Sequence, residues 1–372
     1  MIWLTWRQFR AQAVTAVAAL ALFAILLAVT HPQLASLDVS TGLAGCHSGG
    51  CGRAANAFLG ALSNLTPFGG PQAFRLLPDG ANLYVIVYTV GILFILIAPA
   101  ITGVFWGAPL IARELETGTV RLTWNQSVTR ARWLTVKLAL TGAAAMAVTE
   151  GFSLLQAWWA APISRAVDLG GSVSVFSGSR FSPLNFATGG IAPLGYAAFG
   201  FALGVTAGLL IRRTVPAMAL TLAIFVAVQV VMPLWIRPHL LPANQTTVAL
   251  AAGHATFSHI GGATAITATA VPGQAGAWIL SSGPVDAAGR AVSTLPAACA
   301  QAAGSGTPAS GPTAGSPGDV LPCLASHGIR EAVSYQPASH YWPLQLTETG
   351  IFLALALGLA GFCFWWLDRR RA

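Results

Sequence analysis

The chain has 372 residues, 55% of them hydrophobic and only 8% charged, and its mean hydropathy is +0.67. Soluble globular chains carry about 25% charged residues, so this composition excludes a soluble enzyme or binding domain and predicts a polytopic membrane protein. The net charge of +8 and the pI near 9.9 then reflect topology and anionic lipid headgroups, not nucleic acid.

In chain order, Ile2, Trp6, Phe9 and Ala13 recur at helical spacing with Thr5, Gln8 and Gln12 opposite. This predicts an N-terminal amphipathic elbow helix on the membrane surface, against the simpler reading of a frayed start to the first span. The apolar run at about residues 11–30 exceeds the 7–15 of a signal h-region and lacks a nearby A-x-A site, so an uncleaved span is expected. Cys46 and Cys51 follow in the first loop, and a candidate helix with Phe58, Leu59, Leu62 and Leu65 on one face would lie on the outer leaflet.

The second span covers about 83–110, with Pro99 and Pro109 as kink sites and Gly103 and Gly107 as a small-residue contact. After it comes a compact charged segment, RELETGTVRLTWNQSVTRARWLTVK, from Arg113 to Lys137, which holds the chain's sole lysine. The third span, about 138–161, carries Glu150 near its middle, with Gln156 as a weaker polar candidate. A central acid costs about 2.5–3.5 kcal/mol on insertion scales, so Glu150 is expected either to face a transport path or to be protonated and hydrogen-bonded to a neighbouring helix. The fourth span, about 191–211, bears a Gly200, Gly204, Gly208 ridge suited to packing within the chain or between copies. A short Arg212-Arg213-Thr214 turn leads to the fifth span, about 215–236, with Pro216, Pro233 and Gln229.

The region 237–343 forms a large extracytoplasmic loop between the fifth and sixth spans. Its middle is Gly/Ser/Pro-rich linker, and its Thr/Val/Ala-rich flanks are candidate strands of a small cap domain. His254, His259, His327 and His340 are scattered through it without metal spacing. In an oxidising compartment the pairs Cys46–Cys51 and Cys299–Cys323 are expected as disulfides. A metal site on Cys46, His47 and Cys51 would lack a fourth ligand. The sixth span, about 346–367, ends in a basic tail within the last segment 344–372.

Arg7, Arg10, Arg113, Arg121, Arg130, Arg132, Lys137, Arg212, Arg213 and Arg369 to Arg371 fall on one side of these spans, in short segments, while the other arginines are spread over long loops. The positive-inside rule then puts both termini in the cytoplasm of a multi-pass cell-membrane protein. The organisation is therefore a transmembrane region 1–236, a loop region 237–343 and a final span with its tail, 344–372. No P-loop, H-E-x-x-H, G-x-S-x-G or paired C-x-x-C pattern occurs, which leaves no catalytic or metal constellation.

The start TWRQFRAQ, six spans, the RRT turn and RELETGTVRL…QSVTRARWLTVK together resemble the permeases of the ATP-binding-cassette type-2 export family, in its actinobacterial form. Glu114, Glu116, Gly118, Thr119, Leu122, Arg130 and Lys137 match the family's pattern after the second span, with Arg121 alongside. The resemblance implies that this segment rests on a separate ATPase subunit, which would bind ATP and Mg while this chain binds no cofactor. It also implies a second permease copy or paralogue, and export of a hydrophobic or amphiphilic compound. The long last loop departs from many relatives. The rival reading is a non-transporting membrane sensor that binds through this loop, and a proton-coupled carrier using Glu150 lacks a second acid or an inverted repeat.

Overall fold

The computed structural model describes residues 2–46, 51–64, 82–118, 129–171, 179–249, 255–260, 263–268, 276–292 and 317–369, with Val271, Gln274 and Cys299. The protein is mostly helical and has, among the described residues, six helices long and apolar enough to cross a membrane. It divides into two units, residues 1–237 with 342–372, and residues 238–341.

In the first unit, α1 (Ile2–Ser40) is one uninterrupted helix. The expected elbow is not a separate helix, because residues 2–31 contain neither glycine nor proline to break it. The side chains of Ile2, Thr5 and Gln8 lie outside the described residues, but Trp3 and Trp6 are exposed and Phe9 is buried edge-on against Trp106 at 4.8 Å. The helix also runs ten residues past the expected end of the first span. α2 (Gly52–Ser63) follows the Cys46–Cys51 disulfide. Its apolar face does not lie against lipid: Phe58, Leu59 and Leu62 are buried with Leu27, Leu34 and Trp159. Leu65 is outside the described residues.

The second span is a composite of α3 (Leu83–Ile101), a π-helical turn Thr102–Gly107 and α4 (Ala108–Glu116). Asn82 opens it as an N-cap, accepting from Tyr84 N–H at 2.8 Å while donating to the Leu62 and Ser63 carbonyls at the end of α2. The third span is α5 (Arg130–Trp159), which is continued by the short α6 (Ala161–Asp168). α7 (Pro183–Thr188) precedes α8 (Ala192–Ile211), the fourth span, and α9 (Thr214–Val231) extends through a π turn, Met232–Ile236, to Arg237. Both π turns lie beside a proline, Pro99 or Pro233, where the missing N–H disturbs the regular ladder.

α8 is the centre of the bundle, buried from Ala192 to Leu209. Its glycine ridge packs within the chain. A Cβ on Gly204 would meet the Gly103 carbonyl oxygen, one on Gly103 would meet that of Gly200, and one on Gly208 that of Ala108. Around this seam Phe9, Trp106, Trp133, Leu134, Phe201, Val205 and Cys363 form one core cluster, which brings the two ends of the chain to the same end of the bundle. The sixth span lies in the last helix, Tyr341–Arg369.

The second unit corrects a wholly α-helical fold class, since its described residues include five strands. β1 (Asn244–Ala249), β5 (Arg330–Gln336) and β4 (Trp278–Val285) form an antiparallel sheet in the order β1-β5-β4, and β2 (Ala255–Ile260) pairs with β3 (Ala263–Ala268) as a hairpin. Val271, Val333 and Tyr335 make its small core. α10 (Pro317–Ser326) carries Cys323, bonded to Cys299. Beyond a 3₁₀ turn, α11 (Tyr341–Arg369) returns to the first unit. In the Asp286–Arg290 turn the Arg290 backbone N–H holds the Asp286 carboxyl below the usual carboxylate range.

Because the seam is backbone against backbone, Gly204→Ala should cost about 1–3 kcal/mol and shift the thermal melt of the purified protein downward. Gly358→Ala, where an added Cβ meets nothing within 4 Å, should leave the melt unchanged.

Candidate functional site

The charged segment begins where α4 leaves the bundle. Ile111 and Ala112 stay buried, while Arg113, Glu116 and Thr117 are exposed and Glu114 is partly buried. Glu114 turns inward and accepts from the ammonium of Lys137 on α5, which is 2% exposed. That ammonium also lies 4.7 Å from the Trp133 ring centroid. The chain's one lysine is therefore taken up by internal contacts.

Glu116, two residues on, turns to a different helix. Its carboxylate accepts the Thr214 backbone N–H at 3.2 Å and the Thr214 hydroxyl at 2.7 Å. Thr214 opens α9, where backbone N–H groups have no partner in the helix and the dipole favours an anion. The preceding Arg212 sits in the left-handed region, φ 60, and ends α8 with a bond to the Gly208 carbonyl. The two glutamates thus reach α5 and α9 in turn. Gly118, with φ +71, supplies the left-handed residue that lets the chain turn away from α4. On the far side, Thr129 N-caps α5 and accepts from Arg132 N–H at 3.3 Å. Thr119, Arg121 and Leu122 lie outside the described residues, as does the Arg130 side chain, although Arg130 opens α5.

Glu150 sits on α5 near the Leu194 backbone N–H at the start of α8, and its buried Oε2 has no hydrogen-bond partner among the described residues. It is not the only ion within the spans, contrary to the sequence reading. Arg237, at the end of the fifth span, is 1% exposed and Glu348, in the sixth, is fully buried. Arg237 donates from Nε to Glu348 Oε2 at 2.8 Å and from Nη2 to Oε1 at 2.9 Å. Tyr196 of α8 donates its hydroxyl to Glu348 and accepts from Arg237 Nη2 at 3.4 Å. The guanidinium lies 4.0 Å from the Phe186 ring centroid, and Phe352 meets Tyr196 edge-on at 4.8 Å. One turn earlier on α11, buried Gln345 accepts the Ile191 and Ala192 N–H groups and donates to the Phe186 carbonyl. α7, α8, α9 and α11 are thereby fixed together. A sequence signal existed, since opposite charges fall at the same end of consecutive spans, but each alone reads as an ordinary flank.

α9 is therefore held by charged groups at both ends, Glu116 at Thr214 and Glu348 at Arg237. Its 18 residues, at about 1.5 Å rise each, form a rod of roughly 27 Å that runs from the charged segment toward the buried pair, and the π turn completes the distance to Arg237.

Removing one member of the buried pair should cost about 3–5 kcal/mol because the other is left uncompensated. Arg237→Leu and Glu348→Leu should each lower the melt and the monodisperse yield, whereas the double variant should be more stable than either single one.

A family model described as ABC-2 membrane transporter related matches residues 17–237, which include most of the first and fifth spans, all of the three between them, and both ends of α9. No curated protein and no solved structure matches the chain.

Proposed function

Since the chain belongs to the ABC-2 membrane transporter related family, we propose that it is the permease subunit of an exporter driven by a separate ATP-binding-cassette ATPase. Permease membership follows from the family and from six spans in a multi-pass membrane protein. Coupling and export are our reading, and one observation carries them. The segment that leaves α4 is bonded at its root to two different spans, through Glu114–Lys137 to α5 and through Glu116–Thr214 to α9.

In this reading the termini and the charged segment are cytoplasmic, and residues 238–341 are extracytoplasmic. The two disulfides fall in loops after the first and fifth spans, on the side away from the termini, which suits an oxidising exterior. Gly118, Thr119, Arg121 and Arg130 form the part that touches the ATPase, with Arg121 and Arg130 near anionic headgroups. The exposed N-terminal turns of α1, with Trp3 and Trp6, end the first span at the cytoplasmic headgroups. ATP and Mg act on the ATPase subunit. When the ATPase pair closes, it displaces this segment; Glu116 shifts the start of α9 and Glu114 the start of α5, so both spans move as rods. Two copies, or one copy and a paralogue, would enclose the path for a hydrophobic or amphiphilic compound, with Glu150 beside it.

The glutamates separate experimentally. Glu116→Ala breaks an exposed contact, so it should leave the melt of the permease nearly unchanged while lowering substrate-stimulated ATPase activity of the reconstituted complex. Glu114→Ala strands buried Lys137 and should cost about 3 kcal/mol, reading out first as lost folded protein. Normal transport and ATPase stimulation in the Glu116→Ala complex contradict the coupling route. Glu150→Gln keeps shape and removes the acid. Transport altered between pH 6 and 8 with an unchanged melt places Glu150 on the path, and unaltered transport makes it a packing residue.

A further inference from the structure

A cavity of about 390 Å³ lies in the first unit between α3, α7 and α9. Leu96 and Ala100, Leu184 and Ala187, and Leu222 and Val226 form its apolar walls. Leu184 and Val226 are each 50% exposed, so the cavity opens at the lipid-facing surface. Its volume is in the range that encloses most of a drug-sized molecule. On α9 the lining residues Leu222, Val226 and Gln229 recur at helical spacing, and Pro233 and Arg237 carry the same stripe on through the π turn.

Two polar side chains on that stripe are incompletely bonded. Arg237 uses Nε and Nη2 on Glu348 and Tyr196, but among the described residues its buried Nη1 has no hydrogen-bond partner, and neither has the buried Nε2 of Gln229. Buried donors without acceptors are costly, and an incoming acceptor relieves that cost. The charge state of the site decides which acceptor fits. Glu348 already neutralises Arg237, so a carboxylate or phosphate would bring an uncompensated negative charge into apolar surroundings, whereas a carbonyl, ester or hydroxyl oxygen would not.

We propose that this cavity binds one uncharged amphiphile, with its hydrocarbon body among the apolar walls and an oxygen acceptor on Arg237 Nη1 and Gln229 Nε2. This goes beyond the permease reading and requires no ATPase, so it can fail or hold independently of coupling.

The test uses the full chain in lipid nanodiscs with two photoactivatable probes of equal chain length, a diazirine monoacylglycerol and the corresponding diazirine fatty acid. Peptide mapping should find saturable labelling of the α3, α7 and α9 walls by the neutral probe, stronger by about fivefold than by the fatty acid at neutral pH. Val226→Trp, which fills the mouth from a lipid-exposed position, should abolish the saturable component. Gln229→Leu should shrink the preference for the neutral probe while the apolar walls remain. A native glycerolipid that co-purifies and is displaced by the probe identifies a membrane lipid as occupant, and none co-purifying identifies a free amphiphile; both outcomes uphold the site. Labelling equal to that of exposed α1 positions such as Val17 and Leu22, or stronger labelling by the fatty acid, overturns it. So does covalent capture of a second copy of the chain over Val226.

Discussion

The bundle depends on how closely α8 can approach α4 and the π turn before it. Gly103, Gly200, Gly204 and Gly208 place backbone against backbone, leaving no room for a Cβ at the crossings. In a bilayer, hydrocarbon side chains gain little by leaving lipid, so dispersion across such a seam is a main source of cohesion between spans. The seam makes α8 the fixed element, and the groups that carry charge lie at its two ends. Arg212 closes one end with a left-handed residue, while Tyr196 and the Gln345 cap hold the other.

Against that fixed centre, α9 has two different attachments. At Arg237 the pair with Glu348 is dry and bidentate, and rupture would leave buried charge. At Thr214 the carboxylate of Glu116 is exposed and the contact can be remade in another position at little cost. A lever needs this inequality, one end that resists and one that yields. The Glu114–Lys137 pair lies between these extremes, with Lys137 buried and Glu114 partly so, and ties α4 to α5.

Much of the architecture was readable from the residues. Run length alone located six spans, because nothing except hydrocarbon burial selects twenty consecutive apolar residues. Glu114, Glu116 and Lys137 stood out since ions are scarce in this chain. The direction of each side chain was not readable: adjacent members of an acidic pair point to different helices, and that is fixed only by packing. Arg237 escaped notice because a cation at the end of a span ordinarily faces water, and only the inward turn past Pro233 and the presence of Glu348 show otherwise. α2 misled for a related reason. An amphipathic face looks the same whether lipid or protein covers it, and here Trp159, Leu27 and Leu34 do.

The central claim is that the charged segment receives the ATPase. A photo-crosslinking amino acid placed at exposed Thr117, beside the turn at Gly118, tests it directly in cells, with the same group at exposed Trp235 near the opposite end of α9 as the control. The account predicts a covalent adduct from position 117, identified by mass spectrometry as an ATP-binding-cassette ATPase, and none from position 235. An adduct with that ATPase from position 235 alone, or from neither position in cells that contain the assembled complex, would contradict it.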